Sequence, residues 1–484
     1  MSATASRSWS ASTCPAGRRS GRCGGTRASD CARAPRVGCG ALAANVPLIP
    51  RPFATFEGDS VAIEQKITTL SNGLRVLTST IPTAQSAAVA YFAGIGSRGE
   101  DPRTNGLSHY LEHMLFKGTT TRPTAQLISQ AIEGAGGNLN AYTTHEITCY
   151  WNSVPFEAAG TGIAVVADMI QHSLLSQEEI DRERTVVQQE IRRGHDNPGQ
   201  WVGELLGKAT FGDQPVGWPV AGSIETVEAL NRPDFAAHMD SYYTASNSVF
   251  SVAGNVEHEQ VVELAQAAFG NLPQGQASSV VGAKHGLPPE HVIVEQRELE
   301  QTQIALSMQA LPRRDPDRYA LEILHTILGR GMSSRLFEEV RERRGLAYSV
   351  GSRVSRFQDI GSFTVSAGVT RAQQEEALQV IVEQLHKITD EPVAADELTR
   401  AIDYAAGSFR LSFEAPMSYG QRFGEQLLQD GQLEPVDETV AKIRAVTAAD
   451  VQRVAKRVIA PGEYAIAVVG PSATEDRLAQ ILAG

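Results

Sequence analysis

The sequence contains few cysteines, and most of them lie in one short segment. Of five cysteines in 484 residues, four fall within residues 1–56, and the remainder of the chain holds only Cys149. Because small secreted domains are stabilised by several paired cysteines, this distribution disfavours a disulfide-stapled secreted protein and favours a reducing compartment. The N-terminal cysteines also lack the close Cys-x-x-Cys spacing of a structural zinc site, so no metal is predicted there.

Long apolar runs are absent as well. No stretch of about 18 consecutive apolar residues occurs, so no membrane span is predicted. The short apolar runs at 87–93 and 464–470 are typical of buried strands. With 42% hydrophobic and 20% charged residues, the composition is that of a globular protein with a sizeable core, and its length predicts at least two domains.

Negative charge exceeds positive charge outside the N-terminal segment. Residues 1–56 carry eight arginines, no lysine and a single acidic residue, Asp30, for a net charge of +7. Since the whole chain carries −12, residues 57–484 carry −19. Such an acidic body argues against a nucleic acid partner and would favour cationic ligands, including basic peptides. A solvated acidic surface that keeps a protein dissolved has the same composition.

Residues 1–56 are predicted to form a disordered basic leader that is not part of the fold. The segment is rich in arginine and serine and nearly free of acid, as mitochondrial transit peptides are. It is also crowded with glycine and proline and shows no clean amphipathic helix, so a tail or an artefact of the start assignment are the alternatives. A bacterial cytoplasmic location is favoured, with the mitochondrial matrix as the alternative.

Strand and helix patterns alternate along the first half of the remaining chain. A hairpin is predicted around the turn at 71–73, and an apolar strand follows at 87–93. One long strand is predicted over residues 140–154. Helical patterns occupy residues 124–133, 156–171 and 176–193. This mixture predicts an α+β fold.

The chain divides into two related halves. A glycine- and proline-rich linker is predicted at 273–290, which separates a first domain, 57–272, from a second domain, 291–484. Both halves contain a strand, an Asp-Pro pair and then a helix, at an offset of 214 residues. At this offset the residues His109, Glu112 and His113 correspond to Ile323, Thr326 and Ile327. The second domain is therefore predicted to repeat the fold without these three residues.

The motif His109-x-x-Glu112-His113 carries the predicted chemistry. On a helix of 3.6 residues per turn, all three side chains fall within about 100° of arc and share one face. Two neutral imidazoles bind Zn²⁺ without cancelling its charge, and an open position is left for water. Glu112 would act as general base on that water. One zinc ion per chain is predicted, in the catalytic zinc-binding domain 57–272, and the second domain lacks the metal motif.

The third protein ligand is predicted from a distant helix that starts at Ser176. Glu183 and Glu190 are seven residues apart, close to two helical turns, so both side chains point the same way. Glu190 is the predicted ligand, and Glu183 is predicted to orient a ligating histidine. His195 is an alternative ligand, and an acidic helix face that is merely solvated is the alternative for both glutamates.

Several ordered motifs resemble one known family. Residues 106–119, 136–143, 183–190, 333–337 and 344–350 are similar to segments of the pitrilysin/insulinase family of inverzincin zinc peptidases. They are closest to the branch of the mitochondrial processing peptidase beta subunit and its bacterial homologues. The resemblance covers about residues 60–480 of the printed sequence. It implies two homologous domains, each a mixed sheet covered by helices, and it implies Glu190 as the third zinc ligand.

The resemblance also implies residues that contact substrate. Asn140, Ala141 and Tyr142 correspond to an edge strand along which an extended peptide lies. Arg341 and Tyr348 resemble an Arg/Tyr pair that holds substrate and the carbonyl oxyanion, for which guanidinium and phenol groups are suitable donors. Arg343 and Arg344 are alternatives to Arg341.

Family members enclose their active chamber with four such domains, so this chain is expected to pair with another. A homodimer is possible because both the zinc motif and the Arg/Tyr pair are present, and a heterodimer with a metal-free homologue is the alternative. The predicted function is a zinc-dependent endopeptidase acting on unfolded or extended peptides. The alternatives are a non-catalytic scaffold subunit and a peptide-binding module of the same fold.

Overall fold

Two mixed β-sheets organise residues 63–459 and 462–482, the part of the chain that the computed structural model describes. The predicted leader, 1–56, lies outside these residues. The strands are β1 Glu64–Thr69, β2 Arg75–Thr80, β3 Ser86–Ala93, β4 Asn138–Thr143, β5 Thr148–Pro155, β6 Ser248–Gly254, β7 Val292–Glu295, β8 Thr302–Ala310, β9 Ala347–Arg356, β10 Gly361–Val369 and β11 Ala465–Val469.

Helices cover the sheets. They are α1 Leu107–Met114, α2 Ala125–Glu133, α3 Ala159–His172, α4 Gln177–Asp196, α5 Pro198–Phe211, α6 Ile224–Ala229, α7 Arg232–Tyr242, α8 His258–Phe269, α9 Arg318–Gly329, α10 Gln374–Asp390, α11 Ala395–Leu411, α12 Pro416–Asp430, α13 Val436–Arg444, α14 Ala448–Val458 and α15 Glu475–Leu482. A π-helix occupies Phe337–Glu342. Within the described residues, no helix combines the length and apolar character needed to cross a membrane.

The two sheets share one topology. The first has the order β1-β2-β6-β3-β5-β4 and the second the order β7-β11-β8-β10-β9. In each sheet one pair is parallel, β2 with β6 and β7 with β11, and the remaining pairs are antiparallel. Apart from β1, the strands therefore correspond one to one, which confirms the predicted α+β fold with a repeated domain. In α9 of the second half, Ile323, Thr326 and Ile327 are buried in the core.

The strand β3 shows why both faces of the first sheet are covered. Alternate residues of a strand point to opposite faces. Val89 and Tyr91 pack in the core formed with helices of the first half, whereas Ala90 and Phe92 pack in a separate cluster with α12. A continuous apolar run is the pattern expected of a strand that is buried on both sides.

Each half contributes one helix that packs on the sheet of the other half. The helix α12 packs on β3 and β6, and a Cβ added at Gly424 would lie 2.3 Å from the Phe92 ring, so only glycine permits this approach. Conversely, α5 packs on β8 and β11, where Val202 and Leu206 join the core of the second sheet. The halves are interlocked, and the domain limits 57–272 and 291–484 stay a prediction.

The predicted single strand over residues 140–154 is wrong, because the segment forms a hairpin of β4 and β5. The turn contains neither glycine nor proline: Thr144 accepts hydrogen bonds from the amides of Glu146 (3.2 Å) and Ile147 (3.1 Å), and its own amide donates to the Ile147 carbonyl (2.8 Å). The run of β-branched and aromatic residues gave no local sign of this reversal. The Arg98 amide holds the turn through the His145 carbonyl at 2.7 Å.

The segment predicted as a linker, 273–290, contains no helix or strand and is hydrogen bonded to both halves. The Ser278 amide donates to Asn247 in the first half at 2.8 Å. The Ala283 amide donates to Asp359 in the second half at 2.7 Å. The segment therefore connects the two halves through hydrogen bonds as well as through the chain.

Arg98 joins the two halves at a buried site. Its side chain, 1% exposed, donates to Glu146 at 2.8 Å and to Asp359 of the second half at 2.6 Å. Removing one partner of a buried ion pair leaves an uncompensated charge, so we expect Arg98→Met to lower the free energy of unfolding by about 3 kcal/mol. Urea denaturation measures this change. The exposed pair of Arg103 with Asp234 supplies the control, since Arg103→Met should leave the midpoint unchanged; equal midpoints for both variants would contradict the structural role of Arg98.

Candidate metal centre

The start of α1 is fixed by a buried carboxylate. Glu100 accepts hydrogen bonds from the amides of Gly106 (2.7 Å) and Ser108 (2.6 Å), which are among the free N–H groups of the first helical turn. Gly106 has φ +98°, and a Cβ there would lie 2.6 Å from the Ala221 carbonyl oxygen, so glycine is required. Both features orient α1, and the sequence reasoning missed Glu100 because its partner atoms belong to the backbone.

The apolar side of α1 determines which way its polar side faces. Leu107, Leu111 and Met114 are buried, and Tyr110 is fully buried as well. Tyr110 packs edge-on against Phe235 and donates a hydrogen bond to the Ile180 carbonyl of α4. This contact brings α4 alongside α1.

Three predicted metal ligands converge between α1 and α4. One ligand atom each of His109, His113 and Glu190 lies within 4.8 Å of the other two. Glu190 Oε2 is 3.8 Å from His109 Nε2 and 3.5 Å from His113 Nε2. Tetrahedral zinc with bonds near 2.0–2.1 Å needs ligand atoms about 3.3 Å apart, so the set fits zinc after small movements.

Burial and charge differ between the two histidines. Burial lowers the pKa of His109 to about 4, and the charge of His113 adds to this effect, so the imidazole is neutral with a lone pair for a metal. Burial also acts against the charged form of His113, but hydrogen bonds to Glu183 and Glu190 outweigh it and raise its pKa to about 9. The negative side chains around His113 form an environment that attracts a cation.

Glu183 lies behind His113. Its Oε1 accepts from His113 Nδ1 at 3.0 Å, and its Oε2 lies 2.5 Å from Lys117 Nζ. Burial opposes the charge of Glu183, but His113 and Lys117 outweigh it and hold its pKa below the usual value. An ionised Glu183 fixes the histidine tautomer with Nε2 facing the cluster. The sequence reasoning missed Lys117, although it lies four residues after His113.

Glu112 stands beside the cluster without joining it. Its Oε2 accepts a hydrogen bond of 2.6 Å from the hydroxyl of Thr143, the last residue of β4. Burial raises the pKa of Glu112, and this hydrogen bond reduces the effect. A carboxyl whose pKa is raised by its surroundings is suited to accepting and returning a proton.

The residues predicted to contact substrate lie on an edge strand. Among the described residues, β4 pairs only with β5, so its other edge is free to accept an extended chain. Asn140 is exposed, Ala141 is buried and Tyr142 is half-buried. Since Thr143 of the same strand bonds Glu112, this edge leads directly to the cluster.

Arg341 and Tyr348 are not brought to the metal ligands of their own chain. Arg341 lies in the π-helix, a rare form often found at functional sites. Its guanidinium lies 5.6 Å from the ring centre of Tyr348, which is 75% exposed at the start of β9. No hydrogen bond or ion pair among the described residues joins either side chain to the cluster. Arg343 and Arg344 differ from Arg341 because both pair with glutamates.

His195 is engaged elsewhere. Its Nε2 lies 2.9 Å from Arg297 Nη2, and because arginine can only donate, this nitrogen must accept. Arg297 also donates to the His195 carbonyl at 2.7 Å near the end of α4. His195 is not among the described residues that cluster as possible metal ligands. A residue of the second half thus anchors the helix that carries Glu190.

Comparison with known protein families gives two matches. Residues 75–223 match the model described as insulinase (peptidase family M16), and residues 229–404 match the model described as peptidase M16 inactive domain. Together they cover most of the described chain.

Three bacterial relatives, each named an uncharacterized zinc protease, align over most of the chain. The one from Streptomyces coelicolor is 39% identical over 410 residues, which is 84% of this chain and 89% of the relative. The one from Mycobacterium leprae is 37% identical, covering 85% and 93%. The one from Bacillus subtilis is 35% identical, covering 84% and 98%.

Two solved structures share the fold. A protease from Helicobacter pylori superposes with a TM-score of 0.78 at 23% identity, covering 85% of this chain and 100% of that one. A peptidase M16 inactive domain from Pseudomonas fluorescens gives 0.79 at 19% identity, covering 85% and 99%. These likenesses concern the fold alone.

Proposed function

The chain belongs to the insulinase family, peptidase family M16, and we propose that it is a zinc-dependent endopeptidase acting on unfolded or extended peptides. The observation that carries this proposal is the convergence of His109, His113 and Glu190 within 4.8 Å, with Glu112 beside them. The names of its bacterial relatives, zinc proteases, agree with it.

Each residue of the cluster has a distinct role in this proposal. Zinc, held by His109, His113 and Glu190, would supply a Lewis acid that acidifies water and polarises the scissile carbonyl. Glu112 takes the proton of the attacking water and delivers it to the leaving amine. Glu183 keeps the His113 ring oriented. The hydroxyl of Thr143 holds the Glu112 carboxylate in place at the end of β4.

Substrate would bind as an added strand on β4. Main-chain hydrogen bonds along Asn140, Ala141 and Tyr142 would hold an extended peptide with little dependence on its side chains. Most segments of a folded protein cannot offer such a strand, because their backbone groups are already paired. The proposal therefore favours unfolded chains and peptides over folded proteins.

The Arg/Tyr pair is proposed to serve the site of a second copy. Arg341 and Tyr348 are exposed and, within the described part of the chain, form no hydrogen bond or ion pair with their own cluster. Tyr348 lies on β9, the edge strand of the second sheet that corresponds to β4 of the first, and Arg341 lies in the preceding π-helix. A homodimer would place these donors at the partner's scissile carbonyl. A heterodimer with a homologous subunit is the alternative.

Mixing two inactive variants tests this arrangement. Loss of one oxyanion donor costs roughly 10²–10³ in kcat, so Tyr348→Phe should be nearly inactive alone. Glu112→Gln removes the proposed general base and should be nearly inactive as well. If sites are shared between copies, subunit exchange in an equal mixture forms dimers with one intact site and restores about a quarter of native activity. Tyr404→Phe, at another exposed tyrosine, should stay active by itself. A mixture no more active than its components would contradict a shared site.

The direct test of the proposed function is zinc content and cleavage of a quenched peptide by the purified chain. Zinc-free, inactive protein would leave the scaffold subunit as the better description. Protein that binds zinc and peptide without cleavage would support the binding module.

The remaining parts of the proposal concern location and substrate charge. The bacterial origin of the three relatives supports a bacterial cytoplasmic protein over one of the mitochondrial matrix. Determining the N-terminus of the native protein shows whether residues 1–56 are retained. A preference for basic peptides rests on the charge of −19 over residues 57–484, and the peptide series described below decides it.

A further inference from the structure

A cavity of about 760 Å³ lies where the two halves of the chain meet. Its walls come from the β4–β5 turn at 144–146, from α5, from the end of β9 and from α12. A second cavity of about 540 Å³ adjoins it and shares Arg313, Arg356, Arg422, Glu425 and Gln429. Neither cavity is lined by Glu112 or by the metal-ligand candidates, so both are distinct from the metal centre.

The larger cavity begins where the edge strand ends. Thr143, which bonds Glu112, is the last residue of β4, and the next three residues line the cavity. A strand advances about 3.3 Å per residue. A peptide that pairs with β4 and passes Glu112 therefore reaches the cavity within a few residues of the scissile bond.

The charge of this cavity differs from that of the chain as a whole. Its charged side chains are Arg313, Arg353, Arg356, Arg422, Glu146, Glu204 and Glu425. Glu146 is already paired with Arg98 and Arg313. With four arginines against three glutamates, the cavity carries a formal excess of one positive charge, although residues 57–484 carry −19 overall.

Two of these arginines, Arg422 and Arg356, are less fully paired than Arg313, which binds both Glu146 and Asp430. Among the described residues, Arg422 forms no hydrogen bond or ion pair; its guanidinium lies 5.7 Å from the ring centre of Phe409. Arg356 donates to the Arg318 carbonyl at 3.1 Å, and its nearest carboxylate, Glu322, is 3.5 Å away. Burial lowers the pKa of Arg356, and the charge of Arg422 contributes to this effect.

Two neighbouring guanidinium groups, one without an ion pair to any described residue and one with a single long ion pair, can share one anion. A guanidinium binds a carboxylate through two parallel N–H groups, which gives geometric selectivity as well as attraction. The ring contact of Arg422 involves the face of the guanidinium and leaves its N–H edge available.

We propose that Arg356 and Arg422 form a binding subsite for a carboxylate of the peptide substrate. The carboxylate is an acidic side chain a few residues from the scissile bond or the C-terminal carboxylate of a short peptide. The inference rests on the proposed function, since it requires a peptide that lies along β4 and enters the cavity.

The test uses quenched peptides with one common core. They carry glutamate, glutamine or lysine at positions flanking the scissile bond, each with a free or an amidated C-terminus. For the native protein we expect kcat/KM to be about tenfold higher with a carboxylate than with its neutral counterpart. The difference should reside in KM, because the arginines bind substrate without touching the reacting atoms. Glutamate against glutamine reports a side-chain carboxylate, and acid against amide reports the terminal one.

Substitution of the arginines should remove this discrimination. Arg422→Gln and Arg356→Gln are expected to cleave charged and neutral peptides equally well, while Arg422→Lys retains part of the preference. Arg400→Gln, which alters an exposed arginine paired with Asp396 on α11, should leave it unchanged. Thermal midpoints identify any variant that fails to fold. Because Arg422 is exposed, its substitution should leave the fold intact.

Several outcomes separate this inference from the proposed function. Native protein that cleaves the peptides with no preference, or prefers lysine, overturns the subsite and leaves the peptidase standing; a lysine preference supports the basic-substrate hypothesis. Discrimination that survives in Arg422→Gln also overturns it. If no peptide is cleaved, the peptidase proposal fails, and fluorescence anisotropy of labelled glutamate and glutamine peptides still tests the subsite through Kd.

Discussion

Glu190→Gln is expected to weaken zinc binding by more than about a hundredfold. Glu190 supplies the only carboxylate within 4 Å of the Nε2 atoms of His109 and His113 among the described residues. Loss of groups that merely support a metal ligand costs 10- to 100-fold in affinity, so loss of a ligand itself should cost at least as much. The neutral amide also leaves less negative charge at the site to hold a dication. Competition with a chromophoric chelator measures the affinity.

Two further glutamates of α4 make this experiment specific. Glu183→Gln should weaken zinc binding by about tenfold, because the His113 ring loses its charged hydrogen-bond partner while the ligand set is preserved. Glu178→Gln changes an exposed residue of the first turn, paired only with Arg182, and should bind zinc as the native protein does. Native-like affinity in Glu190→Gln, with the fold intact by circular dichroism, would exclude Glu190 as a ligand.

Glu112→Gln is expected to abolish turnover while zinc binding persists. Proton transfer by a positioned side chain contributes typically 10²–10⁴-fold, and we expect kcat/KM to fall by about 10³. Glutamine is nearly isosteric, and its carbonyl oxygen can still accept the hydrogen bond from Thr143, so the local structure should be preserved. Zinc content and peptide cleavage are measured on the same preparation.

Each departure from this result has a definite meaning. If zinc is lost together with activity, Glu112 is a ligand rather than a base. If activity persists, another group takes the proton. Glu133→Gln, at an exposed position at the end of α2, is the control and should retain full activity and zinc.

Local periodicity accounts for much of the candidate site. Helical spacing places His109 and His113 on one face of α1 and aligns Glu183 with Glu190 on α4, independently of anything else in the fold. The apolar stripes predict which sides of these helices are buried. The repeat of strand, Asp-Pro pair and helix predicts two related domains, and the matching order of the two sheets confirms it.

Features that depend on contacts between distant parts of the chain could not be predicted from the sequence. The β4–β5 turn is formed by hydrogen bonds of Thr144 and held by Arg98. The local pattern of residues 140–154 contains no sign of these contacts and therefore predicts an unbroken strand. Glu100 and Lys117 act on α1 and on Glu183 through contacts that no spacing rule describes. The exchange of α5 and α12 between the sheets could not be predicted either, because amphipathic helices do not encode which sheet they cover.

The sequence by itself thus determined the family, the fold class and the helical faces that carry His109, Glu112, His113, Glu183 and Glu190, since these follow from residue order and regular periodicity. Only the tertiary structure decided how close α4 comes to α1, that Arg341 and Tyr348 make no polar contact with their own cluster among the described residues, and that four arginines gather at one cavity of an acidic chain. Distances between side chains and the charge around a site depend on packing between segments far apart in sequence. The net charge gives only the sum of all charges and not where they lie.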